Sequence, residues 1–292
     1  MPASISVTPV TPPEFIADVE RARDARCRGD LRLFARECRE LPWAAEGLRA
    51  IGRAQLDIDA PADARESFAW LREVRPEDGE ANRELAELAG ATVPAGPGRA
   101  LLFTGHMVDA PGRKQSRFPP TAAAEEAARG MIAEAVDRQR AQEPGSLVGV
   151  AGGACGGDIL FHEICAERGV QTHLYLALPP EQFIEASVRH GGEQWVARFN
   201  HLLDTVPMRV LAVSQDLPRW VAADNYSIWQ RNNLWTLFNA LSLDATALAL
   251  IALWDQGPSD GPGGTDDLVR QVRERGFAVD RLPAEQLQSL TT

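Results

Sequence analysis

Lysine is almost absent from this chain of 292 residues. Lys114 is the only lysine, and arginine supplies the other basic side chains. The 41 acidic residues outnumber the 30 basic ones, which gives a formal net charge of -11. Proteins that bind duplex nucleic acid neutralise phosphates with surplus Lys and Arg. The charge balance therefore argues against nucleic acid as a partner, whereas a small anion needs only backbone amides and a single Arg.

Cysteine is also scarce. The four cysteines are Cys27, Cys38, Cys155 and Cys165, and no two of them form a CxxC pair. This spacing predicts neither a disulfide framework nor a zinc ribbon, so we expect no metal. A reducing compartment fits such sparse use of cysteine.

Long apolar runs are missing as well. The first 15 residues have no basic flank followed by an apolar run, and the apolar segment 245–254 is too short to span a bilayer. We therefore expect a cytoplasmic protein that is not inserted in a membrane. The hydrophobic content of 45% nevertheless allows a full core.

The composition changes near residue 92. The stretch ATVPAGPG, 91–98, holds two prolines and two glycines between a charged helical region and a strand-like run. We predict an all-α domain over 1–92, a linker over 93–98 and a second domain over 99–292.

The first region contains an internal period of 34 residues. The pairs that share this separation are Phe34 and Phe68, Pro42 and Pro76, and Ile51 and Leu85. With Gly52 and Ala64 they resemble the tetratricopeptide repeat, of which about two and a half copies fit between residues 14 and 91. The resemblance implies a surface that binds a protein partner or a second copy of the chain. A plain helical bundle is the alternative.

The second region alternates strand-like and helical patterns. Apolar runs occur at RALLFTG, SLVGVAGG, THLYLALP, RVLAVS and ALALIALWD, and helical patterns cover 121–141, 158–168, 181–204, 226–242 and 265–275. Apolar strands that alternate with helices predict an α/β domain with a parallel sheet covered on both faces. Ligands bind such sheets beyond the carboxyl ends of the strands.

One glycine cluster follows the second strand-like run. In GVAGGACGGDILFHE, 149–163, a turn over Gly152–Gly157 leads into a helix that begins near Asp158. The glycines favour either an anion-binding loop or only a tight turn. The stretch has neither the GxGxxG pattern nor a Walker A sequence, and its HExxH-like start at His162 fails at Ala166.

A second glycine-rich turn follows the last long strand. Gly263 and Gly264 precede Thr265, and Asp266 and Asp267 fall in the first helical turn. We interpret Asp266 as a helix cap, and leave Asp267 open between a cap and a functional carboxylate.

The helical pattern over 226–242 precedes the last long strand. It is interrupted by Arg231, Asn232 and Asn233. Arg231 is a candidate phosphate ligand or part of a solvated helix face. We interpret Trp220, Trp229 and Trp235 as core residues rather than as a base-stacking surface.

Together, FTGHMVD, GGACGGD, RNNLW and PGGTDD resemble motifs of the Smf/DprA-LOG superfamily over roughly residues 99–282. The resemblance implies a Rossmann-like nucleotide-handling domain. In the phosphoribohydrolase branch, a late-helix Arg and a PGG loop followed by Thr and a carboxylate form the catalytic site. Arg231 and Pro262–Thr265 stand in matching places, but aspartates replace the expected Glu and the loop is shorter than PGGxGTxxE.

These observations leave three hypotheses. The first is that the protein is a sensor of a nucleotide, ADP-ribose or NAD-like ligand. Such a sensor needs no further cofactor, and its Asp158 would bind the ribose hydroxyls of the ligand. Its candidate ligand-binding residues are Gly105, His106, Gly152, Gly153, Cys155, Gly156, Gly157, Asp158, Arg231, Asn232, Gly263, Gly264 and Thr265. His106 is alternatively a core or loop histidine.

The second hypothesis is an N-glycosidase that acts on a nucleoside monophosphate or NAD. Its candidate catalytic residues are Arg231, Asp267 and Asp158, because glycosidic cleavage commonly requires a carboxylate. The third hypothesis is an interaction scaffold without a ligand.

Overall fold

A computed structural model describes residues 10–90, 98–142, 145–222, 224, 226–243, 245, 247–259 and 261–291. The described parts of the chain are α/β, with eleven α-helices and one six-stranded sheet. They form two compact units. The first comprises Met1–Pro94 with Leu217–Asn225, and the second comprises Ala95–Asp216 with Tyr226–Thr292. Most of the predicted linker, 93–98, lies outside the described residues.

The first unit is built from helices. They are α1 (Pro13–Asp24), α2 (Arg28–Cys38), α3 (Ala44–Asp57), α4 (Pro61–Val74) and α5 (Gly79–Glu87). Gly52 of α3 lies against Phe68 of α4, where an added Cβ would come within 2.9 Å of the ring. A glycine is therefore required for the close approach of these two helices. The tetratricopeptide-like arrangement stays a prediction.

A buried aromatic cluster fills the core of the first unit. Trp220, from the segment 217–225, packs its ring against Phe15 at a centroid distance of 4.9 Å and against Phe34 at 5.5 Å. Its indole N–H donates a hydrogen bond to Asp18 over 2.7 Å. Trp220 is therefore a core residue, as the sequence indicates, but of the helical unit.

The second unit contains the sheet. Its strands are β1 (Arg99–Gly105), β2 (Leu147–Ala151), β3 (Gln171–Leu176), β4 (Met208–Val210), β5 (Ala247–Trp254) and β6 (Ala278–Pro283). All neighbouring pairs are parallel, and the spatial order is β4-β3-β2-β1-β5-β6. The direction in which successive strands are added therefore reverses between β1 and β5. Loops diverge at such a point and leave a crevice at the carboxyl ends of the strands.

Helices cover both faces of the sheet, as predicted. They are α6 (Ala122–Gln142), α7 (Gly157–Glu167), α8 (Pro180–Ser187), α9 (Glu193–Thr205), α10 (Ile228–Leu241) and α11 (Thr265–Glu274). On β1, Phe103 stacks on Phe161 of α7, whereas the next residue, Thr104, contacts Thr265 of α11. Successive residues of a strand point to opposite faces, so α7 and α11 lie on opposite sides.

The helical region predicted over 181–204 consists of two helices, α8 and α9, and Gly192 adopts a φ of 104° between them. Strand β6 was not predicted, since Asp280 and Arg281 interrupt its apolar pattern at a sheet edge. No helix of the described residues is long and apolar enough to cross a bilayer.

Candidate functional site

A cleft of about 670 Å³ lies where β1, β2 and β5 end. This volume falls within the usual range for small-molecule sites. The two glycine-rich turns and the start of α10 all contribute to its walls. The predicted ligand-binding residues that line it are Gly105, His106, Gly152, Asp158, Asn232, Gly263, Gly264 and Thr265.

The first glycine turn is held tightly against the loop after β1. Val108 N–H donates to Cys155 O over 3.0 Å, and Gly157 N–H donates to His106 O over 3.2 Å. Gly156 has a φ of 107°, and an added Cβ would meet Val108 N at 2.9 Å. A side chain at Gly156 is therefore excluded both by conformation and by space.

Other glycines of this turn also serve close packing. A Cβ on Gly153 would meet Leu174 at 3.1 Å, and one on Gly157 would meet Gly105 Cα at 3.2 Å. Gly153, Cys155, Gly156 and Gly157 are not among the residues that line the cleft. The sequence left an anion-binding loop and a tight turn as alternatives, and the contacts of these residues favour the turn.

Asp158, the second residue of α7, places its carboxyl at the cleft wall. Its Oδ2 accepts a hydrogen bond from Ala154 N over 3.2 Å. Burial raises the pKa of Asp158 to about 7, and this backbone bond offsets the effect only in part. The carboxyl therefore exchanges its proton near neutral pH.

The second glycine turn leads into α11 and lines the cleft from Gly261 to Thr265. Gly263 has a φ of 88°, and an added Cβ would come within 2.5 Å of Gln230 N in the first turn of α10. Asn233 of α10 donates to Gly263 O over 2.9 Å and to Asp267 over 3.0 Å. These contacts fix the turn against α10 and leave the start of α11 beside the cleft.

Helix α10 presents one face to the cleft. Trp229, Asn232 and Asn233 line it, and their spacing of three and four residues puts them on one side of the helix. Arg231 is rotated by about 100° from Asn232. It is only 3% exposed and is not a lining residue.

Asp267, the other catalytic candidate from the sequence, is buried and does not line the cleft. Its carboxylate accepts from Asn233 and, over 2.5 Å, from Arg270. The bond from Asn233 connects α10 to α11, the bond from Arg270 lies within α11, and together they give Asp267 a structural role.

His106 connects the loop after β1 to the end of β5. Its Nε2 accepts a hydrogen bond from Asp255 N over 3.2 Å, and Asp255 Oδ1 lies 3.1 Å away. Burial is the largest influence and lowers the pKa of His106, although the Asp255 carboxylate opposes it. His106 therefore lines the cleft mainly as a neutral imidazole.

Two arginines of the cleft wall were not predicted from the sequence. Arg113 and Arg117 lie in the loop after β1 and line it. Arg117 donates to Pro258 O over 2.6 Å, and its Nε lies 3.6 Å from Asp255 Oδ2. Asp109 accepts from Ser116 and from two backbone N–H groups of this loop. The cluster APGRKQSR after a strand was the available signal.

An aromatic wall was also missed. Phe183 of α8 and Trp229 of α10 line the cleft with ring centroids 6.4 Å apart. Trp229 differs from Trp235, which is buried against Tyr175 as the sequence predicts. Helical spacing alone did not separate these two tryptophans.

No group of three or more His, Cys, Asp and Glu side chains among the described residues could hold a metal ion. His162 is buried, where it contacts Thr172 and Gly152 O, and burial lowers its pKa to about 4. It therefore belongs to the packing of α7 on the sheet.

No protein-family model matches this chain, and no curated protein or solved structure does so either.

Proposed function

We propose that the cleft binds a nucleotide-derived anion and that the protein acts as a binder or sensor of this ligand. One observation carries the proposal. The ends of β1, β2 and β5, with one face of α10, surround a single cleft at the point where the strand order reverses. Open parallel sheets bind their ligands at this point.

The phosphate is assigned to the turn that precedes α11. Gly263, Gly264 and Thr265 line the cleft at the start of a ten-residue helix, whose first N–H groups and dipole favour an anion. Arg113 and Arg117 line the same cleft and can donate N–H groups to an anion, and each also lies near a carboxylate, that of Asp109 and Asp255 respectively. We assign to these two arginines the phosphate-binding role for which Arg231 was a candidate in the sequence.

The base is assigned to the aromatic wall. Trp229 and Phe183 supply apolar rings at the cleft surface, and Ser187 and His190 supply polar groups beside them. An aromatic surface with a few polar atoms is typical of sites for planar ligands. This arrangement supports the Rossmann-like nucleotide-handling interpretation, and with it the Smf/DprA-LOG resemblance, as part of the proposal.

The hydrolase hypothesis has less support. Of its three candidate catalytic residues, Asp158 alone lines the cleft. Arg231 lies off the cleft face of α10, and the Asp267 carboxylate is engaged by Asn233 and Arg270. The proposed binding of a ligand does not require Arg231 or Asp267 to line the cleft.

The helical unit is proposed to dock a protein partner or a second copy of the chain. Gly52 packed on Phe68 supports the tetratricopeptide-like interpretation, because small residues allow paired helices to approach in such repeats. The proposal for the cleft does not depend on it.

Isothermal titration calorimetry with AMP, ADP, ADP-ribose and NAD tests the function. We expect saturable binding of at least one of them. Ala186→Glu adds a carboxylate at an exposed helix residue that lines the cleft and should weaken binding. Ala166→Glu, at an exposed residue of α7 outside the lining, is the matched control and should bind normally. Failure of all four ligands to bind contradicts the proposal and favours a ligand-free scaffold.

A further inference from the structure

Two acceptor oxygens on the cleft wall have no hydrogen-bond donor among the described residues. Asn232 Oδ1 is a buried atom without a partner. Asp158 receives one hydrogen bond, from Ala154 N to Oδ2, which leaves Oδ1 without a donor. Both side chains line the cleft. Asn232 Oδ1 is buried, and buried acceptors are almost always satisfied in folded proteins. Asp158 is only part-buried, and its Oδ1 is not among the buried atoms that lack a partner. A ligand in the cleft can supply the donor that each of these oxygens lacks.

The surroundings of the Asp158 carboxyl also restrict which ligand groups it can bind. It forms no ion pair with a cation of the described residues, and Ala154 N–H is the only group that stabilises its charged form. Burial of the carboxyl is tolerated in part because its raised pKa, about 7, leaves much of it protonated at neutral pH. A phosphate beside Asp158 would meet a like charge. A neutral O–H group would instead donate to the carboxylate.

Resting on the proposed function, we infer that the cleft selects ligands whose ribose has free hydroxyls. Asp158 accepts a hydrogen bond from one ribose hydroxyl, and Asn232 Oδ1 accepts from a second donor of the same ligand. The phosphates then extend from the ribose toward Gly263–Thr265 and Arg113. The cleft rejects ligands that lack a ribose hydroxyl and ligands that have a phosphate in its place.

The test compares ligands that differ only at the ribose. The parent is whichever of AMP, ADP and NAD binds most tightly, and its 2′-deoxy, 3′-deoxy and 2′-phospho analogues are titrated by calorimetry at pH 8. A site that hydrogen-bonds a ligand hydroxyl discriminates strongly against its absence. We expect at least one deoxy analogue to bind about tenfold more weakly or worse, and the 2′-phospho analogue to bind more weakly still.

Two variants test whether Asp158 causes the discrimination between ribose analogues. Asp158→Ala removes the acceptor, so parent and deoxy analogue should bind it with similar affinity, and the penalty for the 2′-phosphate should fall. Asp266→Ala is the matched control, since Asp266 is the second residue of α11 as Asp158 is of α7, and it does not line the cleft. It should keep the full discrimination. Thermal melts check that both variants fold.

The outcomes separate the two proposals. If no parent nucleotide binds, the proposed function is wrong and the inference fails with it. If a parent binds and its deoxy and 2′-phospho analogues bind equally well, the inference alone is overturned. Discrimination that survives unchanged in a folded Asp158→Ala protein also overturns the role of Asp158.

Discussion

Cys155 Sγ lies 3.3 Å from His190 Nε2, although the two residues are 35 positions apart in the chain. The pair has the residue types of a catalytic dyad but not its chemistry. His190 Nε2 is also 3.1 Å from Val108 O, and a carbonyl only accepts, so this nitrogen has the proton. Burial raises the pKa of Cys155 to about 12. The thiol therefore stays protonated at neutral pH.

We predict that Cys155 resists alkylation in the folded protein. At pH 8 with iodoacetamide, mass spectrometry should find Cys155 unmodified in the native state and modified after addition of denaturant. Cys27 is the internal reference because it is partly exposed, whereas Cys155 is buried. Native Cys155 that reacts as fast as Cys27 would contradict the assignment of a structural thiol.

The sequence predicted the strands of the sheet better than the side chains of the cleft. Strand β1 coincides with the run RALLFTG, because buried parallel strands are apolar on both sides. The rule that ligands bind at the carboxyl ends of strands also selected loops that line the cleft. Strand β6 was missed because an edge strand does not need a continuous apolar pattern.

Side-chain direction limited the prediction of the site. Arg231 and Asn232 are neighbours in sequence, yet one turns away from the cleft face of α10 and the other lines the cleft. Because α10 is apolar on much of its circumference, its sequence does not indicate which polar residue faces the cleft. The contact of Cys155 with His190 was equally hidden, since it depends on how the chain folds after β3.

Gly263 and Gly261 provide a direct test of the second glycine turn. Gly263→Ala should lower the free energy of unfolding by about 2 kcal/mol or more, because the position combines a φ of 88° with contact to the backbone of α10. Gly261→Ala adds the same atom to the same turn, where nothing lies within 4 Å, and should change stability by less than about 0.5 kcal/mol. Denaturant titrations measure both. Equal effects would show that the turn does not pack on α10 as described.

Trp220→Ala should destabilise the helical unit by about 3–5 kcal/mol, since it removes a buried indole from the cluster with Phe15, Phe34 and Trp43. Trp220→Phe keeps an aromatic ring but loses the hydrogen bond to Asp18, so it should cost less. Helical circular dichroism during denaturant unfolding of the full chain measures the shift. A wild-type unfolding profile for Trp220→Ala would be incompatible with the described core.

Asp158 should lower the free energy of unfolding as pH rises, which is the opposite of the usual effect of an aspartate. Its folded-state pKa, about 7, lies above the ordinary value, so the folded protein binds more protons than the unfolded chain between about pH 4 and 7. The stability that Asp158 contributes is therefore present at low pH and is lost as pH rises through 7. Asp158→Asn keeps an acceptor for Ala154 N–H and cannot ionise. We expect it to be about 1–2 kcal/mol more stable than wild type at pH 8, a value reduced because the carboxyl faces the open cleft.

Thermal melts of wild type and Asp158→Asn at pH 5 and pH 8 measure this difference directly, because the other titrating groups are common to both proteins. The advantage of the variant should shrink toward pH 5, where the wild-type carboxyl is largely protonated. Asp266→Asn, at the equivalent helix position of α11, is the matched control and should gain nothing at pH 8, since the Asp266 carboxylate is bonded by Ser259. A difference between wild type and Asp158→Asn that stays constant from pH 5 to pH 8 would mean that Asp158 is not the group that titrates in the cleft.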